Sequence, residues 1–253
     1  MPARITIKNL TMAYGSLVVM RDLNFEIQDK EIFAIMGGSG CGKSTLLRHL
    51  IGLQEPTQGS ILYDGRDFTA TDPAQRGPFI QRFGVMYQSG ALWSSLTLGE
   101  NISMPLEEIA HIPAKTVRDL VSYKLSLVGL AGYEDYYPAE ISGGMQKRAG
   151  IARAMALDPD ILFLDEPGAG LDPLSSRRLD DLILRLRDSQ GSTIVIVTHE
   201  LSSIFNIADK VIFLDTATHT QGALGNPADL RDHSDNPAVR LFLNRGEHPT
   251  PPP

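Results

Sequence analysis

The sequence predicts an α/β fold built on a parallel sheet, and three observations carry that reading. Short apolar runs at 32–36, 161–164, 193–198 and 211–214 read as buried strands. Residues 175–187 repeat at helical spacing between two of those runs, the strand, helix, strand alternation of a parallel sheet. Gly37-Gly38-Ser39-Gly40-Cys41-Gly42-Lys43-Ser44 is a complete G-x-x-x-x-G-K-[ST] loop, flanked by the strand at 32–36 and a helical pattern at 45–50 that Gly52 stops.

Taken in order, residues 1–88 read as strands at 5–10, 23–27, 32–36, 60–63 and 84–87, punctuated by Gly15, Gly59 and Asp64-Gly65. Residues 89–159 change character. Val117, Leu120, Val121, Lys124, Leu125 and Val128 recur at helical spacing up to Gly129, and Ser142 opens a helix expected to run to 156. This segment reads as a helical insertion. The core resumes over 160–230. A tail, 231–253, holds one short amphipathic piece at 238–243 and ends in His248-Pro249-Thr250-Pro251-Pro252-Pro253, which cannot pack as regular structure.

The 253 residues suffice for a substantial core, and 42% hydrophobic with 21% charged residues is ordinary for a globular protein. A net charge of -7 argues against a nucleic-acid partner, because phosphate backbones reward clustered Lys and Arg. Cys41 stands alone, which excludes an internal disulfide and suits a reducing compartment. The start carries no basic stretch followed by an apolar one, so no export signal is expected, and no apolar run reaches the roughly 20 residues that span a bilayer. A membrane role would come through a partner.

The loop at 37–44 is a phosphate cradle: its glycines let successive N–H groups and a helix N-terminus face an anion, Lys43 adds a point charge, and Ser44 holds Mg²⁺. The run at 161–164 delivers Asp165 and Glu166 to the C-terminal end of a strand, where open α/β sheets bind ligands. In loops of this kind one such carboxylate serves the metal and the other positions and deprotonates water. By itself an apolar run ending in Asp-Glu is an even choice between a solubilising strand end and a metal site; with Lys43 and Ser44 the metal reading prevails. His199 follows the strand at 193–198, a place where a lone His is more often incidental. Gln88 closes the strand at 84–87, and its amide can accept from metal-bound water and donate to a phosphate.

Tyr14, the loop 37–44, Gln88, Ser142-Gly143-Gly144, Asp165-Glu166, Gly170-Leu171-Asp172 and His199 together resemble, in this order, the ATP-binding subunits of ABC transporters, from about residue 5 to 230. The resemblance implies an ABC cassette of the P-loop NTPase fold: a RecA-like parallel-sheet core, an N-terminal antiparallel β portion and an inserted α-helical subdomain. It implies ATP and Mg²⁺ as cofactors, with nucleotide contacts from Tyr14, Gly37, Gly38, Ser39, Gly40, Cys41, Gly42, Lys43, Ser44, Thr45 and Gln88. Tyr14 would stack on adenine, Gln88 would link metal to the membrane partner, and Ser44, Gln88 and Asp165 would form the metal set. Lys43, Glu166 and His199 are the implied catalytic residues, His199 contacting the γ-phosphate.

The same resemblance implies a head-to-tail homodimer, in which Ser142, Gly143 and Gly144 face the γ-phosphate held by the other copy and Asp172 communicates between copies. Ser142 is also a plain helix N-cap, and both uses draw on the same free N–H groups. Ile141 and Met145 depart from the usual signature; Met145 removes an amide near the partner's ribose. Ser-Gly-Gly-Met followed by basic residues, Gln88-Ser89-Gly90-Ala91-Leu92-Trp93 and 165–173 are similar to the ATPases of Mla-type lipid transport systems. That implies an integral permease, an MCE-type lipid-binding protein and a place on the cytoplasmic face of the inner membrane. The alternatives are the ATPase of a polar amino acid or metal importer and, from another class, a soluble ABC clamp, for which no coiled coil, zinc insertion or second cassette speaks.

Leu92, Trp93, Leu96, Leu98 and Ile102 form an apolar cluster after Gln88; each alone reads as core, and together they suggest a docking groove for the permease. A helix N-terminus can lower the pKa of a thiol such as Cys41, but most cysteines at this position of the loop need no such role.

Overall fold

The structure, a computed structural model, describes residues 3–88 and 90–244. It begins with β1 (Ala3–Tyr14), β2 (Leu17–Gln28), β3 (Ile32–Gly37), α1 (Lys43–Leu50), β4 (Gln58–Tyr63), β5 (Arg66–Asp67) and α2 (Gly77–Ile80). Next come β6 (Phe83–Met86), α3 (Leu98–Glu108), α4 (Ala114–Leu127), α5 (Gly143–Ala154), β7 (Ile161–Asp165) and α6 (Pro173–Gln190). Then follow β8 (Thr193–Val197), α7 (Leu201–Ile207), β9 (Lys210–Asp215), β10 (Thr220–Gly225), α8 (Pro227–His233) and α9 (Pro237–Leu243). The chain folds as two compact units, one formed by the residues up to Ile80 with those from Thr193 onward, the other by Gln81–Ser192.

In the first unit β3 lies parallel to β8 on one side and β9 on the other, with Ile35 opposite both Val197 and Ile212. Every residue of β3 and β8 is buried, as strands covered on both faces must be. Burying each of Ile194, Val195, Ile196 and Val197 contributes about 1.5–3 kcal/mol. The second sheet is antiparallel, in the order β2, β1, β4, β5, with Ile5 opposite both Ile27 and Tyr63. Here Ile5, Ile7, Leu10 and Met12 turn inward from β1 and the residues between them are more exposed, the alternation of a sheet covered on one face.

In the second unit β6 and β7 pair in parallel, Gly84 opposite Leu162, alongside α3 to α6. Local chemistry sets the helix starts. Thr97 and Glu100 form a capping box for α3, Ser142 caps α5, and Asp172 with Pro173 opens α6, which stops at Gly191 in the left-handed conformation. α4 ends at Leu127, just before Gly129.

The α/β expectation holds, with differences in detail. β6 stops at Met86, so Tyr87 and Gln88 have already left the sheet, and α5 ends at Ala154 rather than 156. β5, α2, α7, β10 and α8 were not expected; of these, Thr220–Gly225 has neither apolar alternation nor β-branched enrichment, and pairs with β9 as its hairpin partner. The piece expected at 238–243 is α9. Its Val239 and Leu243 join Ala34, Met36, Val211 and Phe213 in one core cluster, and Phe242 meets Phe213 edge to face. The Pro-rich end at 248–253 lies outside the described residues.

Candidate functional site

Tyr14, the loop 37–44, Thr45 and His199 belong to the first unit. The loop leaves the C-terminal end of β3, and His199 follows the C-terminal end of the parallel β8, so the fold brings both to one sheet edge. The Thr198 N–H donates to the Ile35 carbonyl at 3.3 Å and extends that register to the residue before His199, which is exposed.

Gly42 starts α1 with a φ of 94°. It must be glycine for a second reason: a Cβ there would stand 2.6 Å from Val19 Cγ1 of β2, which covers the turn. The Lys43 ammonium lies within its own loop, donating to the carbonyls of Gly37 and Gly38 at 3.0 Å each. This fixes a positive charge where the helix N-terminus adds a partial one. Ser44 and Thr45 occupy the first turn of α1. Tyr14 closes β1, 47% exposed, and the Thr45 hydroxyl, assisted by Arg48, holds its phenol below the usual range. The tyrosine is thereby placed at the head of the phosphate-loop helix.

The ordinary reading of Cys41 prevails. Burial pushes its thiol pKa up, against the pull of Lys43, so the helix N-terminus does not make it an acidic thiol.

Gln88, Ser142 to Gly144, Asp165, Glu166 and Asp172 belong to the second unit. Asp165 ends β7 and Glu166 takes a φ of 49°, a left-handed conformation costly for a residue with a side chain. Ser142 Oγ accepts the Met145 N–H at 3.3 Å. Asp172 accepts the N–H groups of Leu174 and Ser175 at 3.0 Å each and the Ser175 hydroxyl at 2.5 Å, and these bonds, the hydroxyl first, hold its carboxyl below the usual range. An open cleft of about 450 Å³ is lined by Gln88, Gly143, Lys147, Ala169, Gly170 and Leu171. The exposed glutamine, the start of α5 and the turn before Asp172 thus face one space.

The apolar cluster after Gln88 divides. Leu98 and Ile102 are fully buried in α3, Leu92 and Leu96 are half-buried, and Trp93 is 54% exposed. Of this cluster, Trp93 with the half-buried Leu92 and Leu96 can offer an apolar surface. Two residues that sequence reasoning passed over organise this region: Asn101, which bonds the 93–97 loop, and Lys147, whose ammonium donates to the main chain of Gln88 and Glu166. Both act on backbone groups, which leave no residue-type signal to read.

The donors expected for a metal, the Ser44 hydroxyl, the Gln88 amide oxygen and the Asp165 carboxylate, are all oxygens and suit a hard divalent cation. Among the described residues no group of three or more His, Cys, Asp or Glu is arranged to hold a metal by itself. No described helix is long and apolar enough to cross a membrane.

Comparison with known proteins agrees with the motif order. The family model of the ABC transporter matches residues 20–169. The intermembrane phospholipid transport system ATP-binding protein MlaF of Haemophilus influenzae is 40% identical over 97% of this chain and 92% of its own. The probable ribonucleotide transport ATP-binding protein mkl of Mycobacterium leprae is 40% identical over 96% of this chain and 70% of its own. A sulfate/thiosulfate import ATP-binding protein, CysA of Synechocystis, is 36% identical over 94% and 65%. Among solved structures, the dimeric post-hydrolysis state of the ATP-binding cassette MJ0796 bound to ADP and Pi superposes with a TM-score of 0.79 at 27% identity, covering 88% of this chain and 98% of that one. The chain belongs to the ABC transporter family, as an ATP-binding, ATP-hydrolysing cassette.

Proposed function

We propose that this ATPase drives the transport of phospholipid or another hydrophobic substrate, as a homodimer joined by ATP, through an integral permease and an MCE-type lipid-binding protein. Its place is then the cytoplasmic face of the inner membrane, held there by the permease. The observation that carries the reading is the 40% identity to a phospholipid-transport ATPase across nearly the full length of both chains.

Catalysis is positioning and charge stabilisation. Lys43 and the loop N–H groups bind the phosphates, Tyr14 stacks on the base, and Glu166 orients the attacking water and takes its proton. His199 contacts the γ-phosphate, and Ser142 to Gly144 of the second copy close the site. Ser44, Gln88 and Asp165 would hold Mg²⁺, which neutralises charge on the β and γ phosphates when bound. The few protein oxygens suit Mg²⁺, which keeps waters and phosphate oxygens in its shell.

A second reading, the ATPase of a polar-solute importer, is favoured by the match to the sulfate/thiosulfate importer. Reconstituting the chain with its co-purified membrane partner separates the two. ATP turnover stimulated by phospholipid vesicles and accompanied by lipid transfer supports the lipid reading. Stimulation only by an amino acid or an inorganic ion overturns it.

A further inference from the structure

The proposed chemistry gives Gln88 and Glu166 roles and leaves α5 only the task of presenting Ser142. Yet one face of α5, at spacing i, i+3 and i+6, reaches the segments that carry both residues. Lys147, 9% exposed, donates from Nζ to the backbone carbonyl of Gln88 and, at 3.2 Å, to that of Glu166. Gly150 lies so close to Gly90 that a Cβ would stand 2.9 Å from its carbonyl oxygen and 3.0 Å from its Cα. Arg153 donates from Nη1 to the carbonyl of Ala91.

Both held segments are strained. Ala91 and Glu166 adopt φ values of 52° and 49°, which persist only when the surroundings impose them. Burying an ammonium is itself costly unless acceptors surround it, and carbonyl dipoles supply them here. Lysine fits this task because one compact charge with three donors can serve two carbonyls from different segments at once.

We propose that Lys147 is a positioning residue for ATP hydrolysis, fastening the main chain of Gln88 to the main chain of Glu166 so that the glutamine segment, the base and the signature helix move as one body. This rests on the reading of Glu166 as the base and Gln88 as the phosphate-sensing glutamine. Because misplacing a reacting group by about 1 Å can cost on the order of a hundredfold in rate, loosening this tie acts on turnover. Lys147 touches neither nucleotide nor water in this account. Its effect passes through the two backbones.

The test uses the full chain with Mg-ATP and the variants Lys147→Met, Lys147→Gln and Lys147→Arg. Turnover, binding of a fluorescent ATP analogue and circular dichroism are measured, with Glu166→Gln in parallel. Lys147→Met lowers kcat about 10- to 100-fold, while the Kd of the analogue stays within about twofold, because the phosphate loop is untouched. Lys147→Arg, which can still donate to both carbonyls, recovers most of the rate; Lys147→Gln reads the same loss should the Met variant fail to fold. A kcat within about twofold of the parent in folded Met or Gln variants overturns the proposal, as does an Arg variant no better than Met. If Glu166→Gln abolishes turnover and Lys147→Met does not, the positioning role alone is wrong. If Glu166→Gln turns over like the parent, the assignment of the base fails and this inference with it.

Discussion

Asn101 holds Trp93 from both sides: its side-chain oxygen accepts the Trp93 N–H at 2.7 Å, and its amide nitrogen donates to the Trp93 carbonyl at 3.1 Å. The same nitrogen lies 3.1 Å from the Leu96 carbonyl and 2.8 Å from that of Thr97, and the residue is fully buried. A single core amide therefore shapes the loop between the glutamine segment and α3.

Asn101→Ala leaves the Trp93 N–H without this partner and opens a polar void. We expect a loss of roughly 1–3 kcal/mol in unfolding free energy, read by urea denaturation. The emission of Trp93, the chain's single tryptophan, shifts to the red as its loop loosens. An unchanged midpoint and spectrum would show that the loop is held by other means.

Much of this architecture is legible in the sequence because burial leaves a mark. Residues 32–36 and 194–197 are apolar throughout, as only strands covered on both faces are, and Ser142 stands where a helix needs an N-cap. β10 left no such mark, since its pairing comes from the hairpin with β9 rather than from its own residues. In the candidate site the loop glycines and Lys43 were legible because phosphate binding constrains residue type. Lys147, Asn101 and Arg153 were not, because a main-chain carbonyl exists at every position and selects no partner in sequence. The split of the apolar cluster into buried Leu98 and Ile102 and exposed Trp93 required the phase of α3, which begins at Leu98.

Glu166→Gln preserves shape and removes the proposed base. ATP binding survives, and hydrolysis falls by about 10²- to 10⁴-fold, the usual contribution of a general base. With ATP present, size-exclusion chromatography then finds a persistent dimer. A single-turnover rate close to that of the parent would mean another group takes the proton.

Ser142→Asp keeps an N-cap acceptor for the Met145 N–H while placing a negative charge at the start of α5. If this residue faces the nucleotide of a second copy, ATP-induced dimerisation is lost while nucleotide binding to the monomer stays within about twofold. Equal damage to both measurements would assign Ser142 to its own chain's nucleotide.

His49, on α1 and 1% exposed, donates from Nδ1 to the Thr45 carbonyl at 2.7 Å, and its Nε2 has no hydrogen-bond partner. Burial holds its pKa below the ordinary value of 6.5, and the upward pulls of the Thr45 carbonyl and Glu55 are smaller. A depressed folded-state value means the unfolded chain takes up the proton first. The stability present above about pH 6.5 is lost as pH falls through the lower folded value. Thermal midpoints of the parent therefore drop more steeply than those of His49→Leu between about pH 7.5 and about pH 5.5. Parallel slopes would remove His49 from the acid response.

Trp93 offers an exposed apolar surface shortly after Gln88, the glutamine proposed to sense the phosphate, with Leu92 half-buried beside it. An exposed Trp at the centre of a contact is a frequent carrier of binding energy, so the proposed permease docking is expected here rather than on Leu98 or Ile102. Trp93→Ala, or Leu92→Asp, then weakens co-purification with the detergent-solubilised permease by about tenfold or more and abolishes its stimulation of ATP turnover. Intrinsic nucleotide affinity survives, because the phosphate loop is unaltered, and circular dichroism controls for folding. Two folded variants that bind the permease like the parent would leave Trp93 as idle surface and move the coupling contact elsewhere on the chain.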